Sequence, residues 1–190
     1  MKDFPEAAVP AARQGENMRR FQLSAAALAL AACGGSSGIG NNGQGTCSVT
    51  LSGAQTGTYD CQAGLGSYST SDNKSGFGAG TTGATPPTLA FAFVFAGDLK
   101  TGTFKDTDAG ANSAVTVQTA SNAFWSENVG LNNSDPKRGS YTLNITSTGT
   151  RVTGNQGAAY LAVQGTLTAV LEPVAGTGAT GNVNLTATFR

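Results

Sequence analysis

The sequence predicts an all-β domain, an antiparallel β-sandwich of about nine strands, with a closed β-barrel as the alternative architecture. Beyond Gly45, apolar and polar residues alternate with a period of two in short runs. Gly, Asn, Asp and Pro, the residues that turns require, separate those runs. No stretch combines a 3.6-residue apolar period with helix caps.

The first two strands, Thr46–Leu51 and Gly57–Gln62, flank the turn Gly53-Ala54-Gln55-Thr56. Their alternation sets Cys47 opposite Cys61, Val49 opposite Tyr59 and Leu51 opposite Gly57 on one face. The two sulfurs then lie within bridging reach, and a structural disulfide closing so short a loop stabilises by about 3 kcal/mol. A metal or redox role does not suit this pair, which lacks both a His and the CxxC spacing. Residues 64–87 are rich in Gly, Ser and Thr and give no clear period beyond a short strand at Leu65-Gly66-Ser67-Tyr68.

Thr88–Ala96 carries Leu89, Phe91, Phe93 and Phe95 on one face and Ala90, Ala92, Val94 and Ala96 on the other. A strand apolar on both faces belongs at the centre of a sheet, its aromatic face in the core and its small face covered. Further strands are expected at Gly102–Lys105, Ala114–Ala120, Ala123–Val129, Gly139–Ser147, Tyr160–Leu171 and Asn182–Phe189. The last of these ends in Phe189 and resembles the terminal strand of outer-membrane barrels. Unequal strand lengths and frequent interruption by Gly argue against a barrel that crosses a membrane.

Ahead of the domain, Met18-Arg19-Arg20 precedes an apolar stretch from Phe21 to Ala32 that runs into Cys33. A basic start, a short apolar segment and small residues before a break mark a secretory signal peptide, and the stretch is too short for a bilayer span. Leu30-Ala31-Ala32-Cys33 resembles the lipobox of bacterial lipoproteins, which implies a lipid-modified Cys33 as the first mature residue. Residues 18–32 are then the signal peptide, and residues 1–17, with Asp3, Glu6 and Glu16, lie ahead of a translation start at Met18. The resemblance also implies an outer-membrane destination, because Gly34 stands where Asp would retain the protein at the inner membrane. Residues 34–45 hold six glycines and no charge. Such a segment behaves as a flexible coil spanning about 19 Å between Cys33 and the domain at 46–190.

Composition narrows the function. From Cys33 onward, seven cationic side chains face eight acidic ones, with no basic cluster longer than Lys137-Arg138, so a nucleic-acid partner is not expected. The chain has no His, which removes Ser-His-Asp, Cys-His and His-metal chemistry. No phosphate-binding or dinucleotide glycine pattern occurs, no cofactor is implied, and Asp106, Asp108, Glu127 and Glu172 show no paired spacing. The expectation is therefore a non-enzymatic, lipid-anchored envelope protein with a structural or interaction role, its partner an envelope protein or a polysaccharide. Segments 139–145 and 164–171 resemble pieces of small β-rich bacterial lipoproteins, a likeness that brings no activity with it.

Two surfaces stand out as candidate sites. Trp125 shares a face with Glu127, and since a carboxylate seldom enters a core, alternation puts both on a half-exposed face. With Asn128 they could grip a sugar ring, which needs an aromatic face and polar acceptors. Asp106, Asp108 and Asn112 offer oxygens at alternate positions, as calcium loops begin. Gly110 and Val117 occupy positions where further ligands belong, so an ordinary turn is the stronger reading.

Overall fold

The computed structural model describes residues 45–63, 66–81, 86–108, 112–127, 139–154 and 157–190. The expected signal peptide, Cys33 and the expected tether up to residue 44 lie outside them. Among the described residues there are thirteen strands and no helix. They are β1 (Gly45–Gly53), β2 (Gly57–Ala63), β3 (Gly66–Ser69), β4 (Lys74–Gly80), β5 (Thr88–Ala96), β6 (Gly102–Lys105) and β7 (Asn112–Gln118), followed by β8 (Phe124–Ser126), β9 (Ser140–Ser147), β10 (Thr150–Gly154), β11 (Gly157–Leu161), β12 (Gln164–Pro173) and β13 (Val183–Phe189).

Eight of these close an antiparallel barrel in the order β4-β2-β1-β13-β12-β8-β7-β5, with β5 returning to β4. The other five extend it: β3, β11 and β10 continue from β4, and β9 and β6 continue from β12. The architecture is therefore the closed barrel, the alternative of the two expected, and not an open sandwich.

Closure depends on two short seams. At one, Gln62 and Ala63 of β2 pair with Gly80 and Ala79 of β4. At the other, Glu172 and Pro173 of β12 pair with Ser126 and Trp125 of β8. β12 is ten residues long and changes partner along its length, giving its first part to β9 and its last two residues to β8. Alternation reports which face a residue takes, not where a strand switches neighbours, so these seams left no mark in the sequence.

The hairpin register came out as expected, with Cys47 opposite Cys61, Val49 opposite Tyr59 and Leu51 opposite Gly57. β5 occupies the expected central place between β4 and β7, and its Leu89, Phe91 and Phe93 face the interior. Two strands were missed. In β4, inward Ser75, Phe77 and Ala79 alternate with Gly76, Gly78 and Gly80, residues that disfavour strands. β10 carries only one apolar side chain, the exposed Val152. The expected single strand from Tyr160 to Leu171 is two, β11 and β12, broken at Ala162, whose φ is 58°.

Inside the barrel, large and small side chains face one another across neighbouring strands. Phe189 lies between Cys47 and Gly165, Leu185 between Leu51 and Ala169, and Ala187 between Val49 and Leu167. A Cβ at Gly165 would come within 2.9 Å of the Phe189 ring, so this position needs glycine for space. On the facing wall Phe77 meets Phe189 with ring centroids 4.8 Å apart, and Phe93 meets Tyr141 at 5.1 Å. Outward positions of β1 and β13 are Thr, Ser and Asn, all exposed, and those of β12 run Gln164, Thr166, Thr168, Val170 and Glu172, the last two half-buried. On these three strands the outer face is mostly polar, unlike the apolar band of a membrane-spanning barrel, whereas β5 turns Ala90, Ala92, Val94 and Ala96 outward.

Phe189 is buried among these side chains. Phe189→Ala is expected to lower stability by about 3–5 kcal/mol, whereas Thr188→Ala on the solvent face is expected to change it by less than about 0.5 kcal/mol. Urea unfolding of the two variants measures the contrast.

Candidate functional site

Cys47 and Cys61 form a disulfide across β1 and β2 with their Cα atoms 4.8 Å apart. Both sulfur-bearing side chains are buried on the inner face, where they staple the first hairpin beside Phe189. Cys33 and Asn128 lie outside the described residues.

Trp125 and Glu127 do share a face, but it is the interior. Trp125 is 3% exposed and Glu127 2% exposed. The expectation of a half-exposed indole is corrected by this burial: β8 sits between β7 and β12, so its inward residues enter the core. The indole N–H donates to the carbonyl of Gly181 at 2.8 Å, which satisfies its polar end. With the ring enclosed, no Trp face is presented for a sugar to stack upon.

Glu127 enters the core because it has company there. The Ser113 hydroxyl donates to Glu127 Oε2 at 3.1 Å. Its backbone is held as well, the N–H donating to Val115 and the carbonyl accepting from Gly139. Buried carboxylates persist only when hydrogen-bonded in this way. Beside it, the Tyr141 phenol is pushed up to about 12, first by burial and further by the negative charge of Glu127, against the opposing hydrogen bond with Ser113. Ser113, Glu127 and Tyr141 thus form one polar cluster within the apolar interior. Alternation in β7 and β9 turns Ser113 and Tyr141 inward and could have located both. What alternation lacks is any sign that an inward Glu would be tolerated.

The candidate calcium residues behave as turn residues. Asp108 Oδ2 accepts the Lys105 backbone N–H at 2.7 Å, and the Asp108 N–H donates back to the Lys105 carbonyl. That reciprocal pair closes the turn after β6. Asn112 instead begins β7 and pairs with Val94. Among the described residues no group of three or more His, Cys, Asp or Glu side chains is placed to hold a metal.

A second polar group pins the β10–β11 hairpin to the turn that follows β5. The Tyr160 hydroxyl donates to Asp98 Oδ1, and Arg151 Nε lies 3.6 Å from Asp98 Oδ2. The Arg151 and Asp98 side chains are both about two-fifths exposed, so this contact positions the hairpin more than it stabilises it.

The outer face of β2, β1, β13, β12 and β9 is different in kind. Thr58, Thr50, Thr186, Thr168 and Thr142 stand directly beside one another on five successive strands. A parallel row runs through Asp60, Ser48, Thr188, Thr166 and Asn144 to Thr103 on β6. A third row joins Ser52, Asn184, Val170 and Ser140. Over β9, β12 and β13 this face holds a shallow, open depression of about 210 Å³, bordered by Ser140, Thr142, Thr168, Val170, Asn184 and Thr186. No family model, curated protein or solved structure matches the chain.

The Tyr141 phenol has a pH consequence. Its pKa is raised in the folded state from 10.0 to about 12, so the native protein keeps a proton that the unfolded chain loses. Stability is therefore intact below pH 10 and declines as pH rises from there to about 12. Ultraviolet titration is expected to show a tyrosine ionising near pH 12 that is missing in Tyr141→Phe, and that variant's alkaline stability loss is expected to shrink.

Proposed function

We propose that this chain is a lipid-anchored protein of the bacterial cell envelope, whose barrel serves as a non-enzymatic interaction module held off the outer membrane by a flexible tether. The observation that carries this reading is the filled barrel. Phe77, Phe91, Phe93, Trp125, Tyr141 and Phe189 occupy the interior, leaving the outer surface as the place where a partner would be met. The signal-like stretch ending in Leu30-Ala31-Ala32-Cys33 and the glycine-rich residues 34–45 support the anchor. An acylated cysteine carrying two or more chains holds a protein at a membrane without help from the folded domain. This suits a barrel whose outward positions on β1 and β13 are polar. The disulfide fits an oxidising compartment outside the cytoplasm.

Mass spectrometry of the membrane-extracted protein is expected to find an acylated Cys33 as the first residue. Cys33→Ser is expected to move the protein from the membrane fraction to the soluble one. Retention of Cys33→Ser in the membrane would overturn the anchor.

A further inference from the structure

We infer that the hydroxyl-bearing face of β9, β12 and β13 is a docking surface for an uncharged, hydroxyl-rich polysaccharide. The inference rests on the reading of the barrel as an outward-facing interaction module and names its partner class.

Chemistry on this face is unusually uniform. The outward residues that border the depression are three threonines, a serine, an asparagine and one valine, with the buried Tyr141, Ala169 and Leu185 beneath them, and none of these carries a charge. Hydroxyl and amide groups donate and accept alike, which is what sugar hydroxyls require of a partner. The threonine methyls and Val170 supply small apolar contacts against which the C–H face of a pyranose could rest. Charged residues stand at the margins: Lys105 at the end of one row, Asp60 at the end of the next, and Glu172 where β12 passes from β9 to β8.

Geometry adds a repeat. Neighbouring strands lie about 4.8 Å apart, so the threonine row from Thr58 to Thr142 offers one hydroxyl per strand over about 19 Å. That interval is comparable to the length of one sugar unit, and a linear chain laid across the strands meets a fresh hydroxyl at each residue. The side chains need little ordering. Thr is stiff about χ1, and Thr50 and Thr58 already stand 3.3 Å apart, oxygen to oxygen.

Other classes of partner fit less well. An anionic polymer or nucleic acid requires a cluster of Lys or Arg, absent from these rows. A protein interface of the usual kind needs an apolar or aromatic centre, and among the outward residues here Val170 is the one larger apolar side chain, Tyr141 and Leu185 being buried. An uncharged face suits an uncharged ligand. Without an aromatic platform the affinity per site is low, so the natural ligand is a polymer that engages several hydroxyls at once.

The test uses the detergent-extracted, full mature lipoprotein in co-sedimentation with insoluble cellulose, a β-1,3-glucan and chitin, with anionic alginate alongside. Retention by at least one neutral polymer is expected. Thr168→Glu combined with Thr186→Glu is expected to reduce the retained fraction about tenfold or more, since two hydrogen-bonding hydroxyls are lost and charge is placed where none is matched. Both positions are exposed, and an unchanged circular dichroism spectrum confirms that the barrel survives. Thr150→Glu, on the far β10 strand, is expected to bind as the parent does. No retention on any neutral polymer, retention on alginate alone, or retention indifferent to the double substitution would each overturn the inference. None of those results bears on the anchor, which the Cys33→Ser fractionation tests separately.

Discussion

An eight-stranded barrel has to fill its own interior with side chains, and in this one the filling is done by pairing large against small across the ladder. β13 shows it most clearly. Phe189 takes the volume that Gly165 and Cys47 leave, and Ala187 yields to Leu167 and Val49. Leu185 in turn fills the space beside Ala169. The register is thereby locked, because a one-residue slip would set Thr and Asn inside and clash where Gly165 makes room. β13 is also the last strand of the chain, yet it lies between β1, the first strand described, and β12. Closure needs β13 in place, because its pairing with β1 and the pairing of β12 with β8 are the two that join distant parts of the chain, while β1–β2, β4–β5, β7–β8 and β12–β13 pair neighbours in sequence. The Cys47–Cys61 bridge staples one of these local hairpins, beside the slot that Phe189 enters.

Much of this was legible in the residues themselves. Strict alternation placed β1, β2, β5, β9 and β13 close to their observed limits and oriented the phenylalanines of β5 inward. The cysteine pair followed from register alone. What could not be read were features set by neighbours distant in sequence. β4 is a strand because Phe77 and Ala79 find β5 beside them, despite glycine at three of its four outward positions. A Cβ at Gly80 would press to 2.7 Å from the Leu89 carbonyl, so the composition that hid the strand is the one that lets it pack. The barrel rather than a sandwich arises from two pairs of residues at each seam, too little sequence to leave a pattern.

Trp125 and Glu127 show how a sound premise led to a wrong surface. Alternation placed them together, and the rarity of buried carboxylates then pushed both outward. Inside the barrel Glu127 meets the Ser113 hydroxyl, and the cost of burying its charge is offset by hydrogen bonds that the sequence does not announce. Burial, with the negative charge of Glu127 beside it, raises Tyr141 against the opposing Ser113 hydrogen bond and keeps its phenol protonated. A polar group among the aromatic side chains is less adaptable than a hydrocarbon would be, because each hydrogen bond requires one geometry. Ser113, Glu127 and Tyr141 therefore help hold β7, the segment after β8, and β9 in a single arrangement.

With the indole enclosed, recognition has to come from what the strands present outward. There the chain departs from ordinary surfaces, which mix charges of both signs to stay soluble. Its outward positions on β1 and β13 hold hydroxyls and amides instead, as do those of β12 up to Val170 and Glu172 at its end. β propensity accounts for threonine at any one of these sites, since a branched side chain suits a pleated strand. It does not account for the confinement of charge to the margins, at Asp60, Lys105 and Glu172, for charged residues are tolerated on exposed strands and would add solubility. An uncharged face makes sense when the surroundings are a hydrated, hydroxyl-rich polymer, where a fixed charge would have to shed water without finding a counter-charge. Under the proposed anchor at Cys33, residues 34–45 would leave the barrel free to turn that face toward such a layer. The proposed anchor, the sealed core and the hydroxyl rows would then be parts of one arrangement, in which the membrane holds the protein and the sheet face meets what lies beyond it.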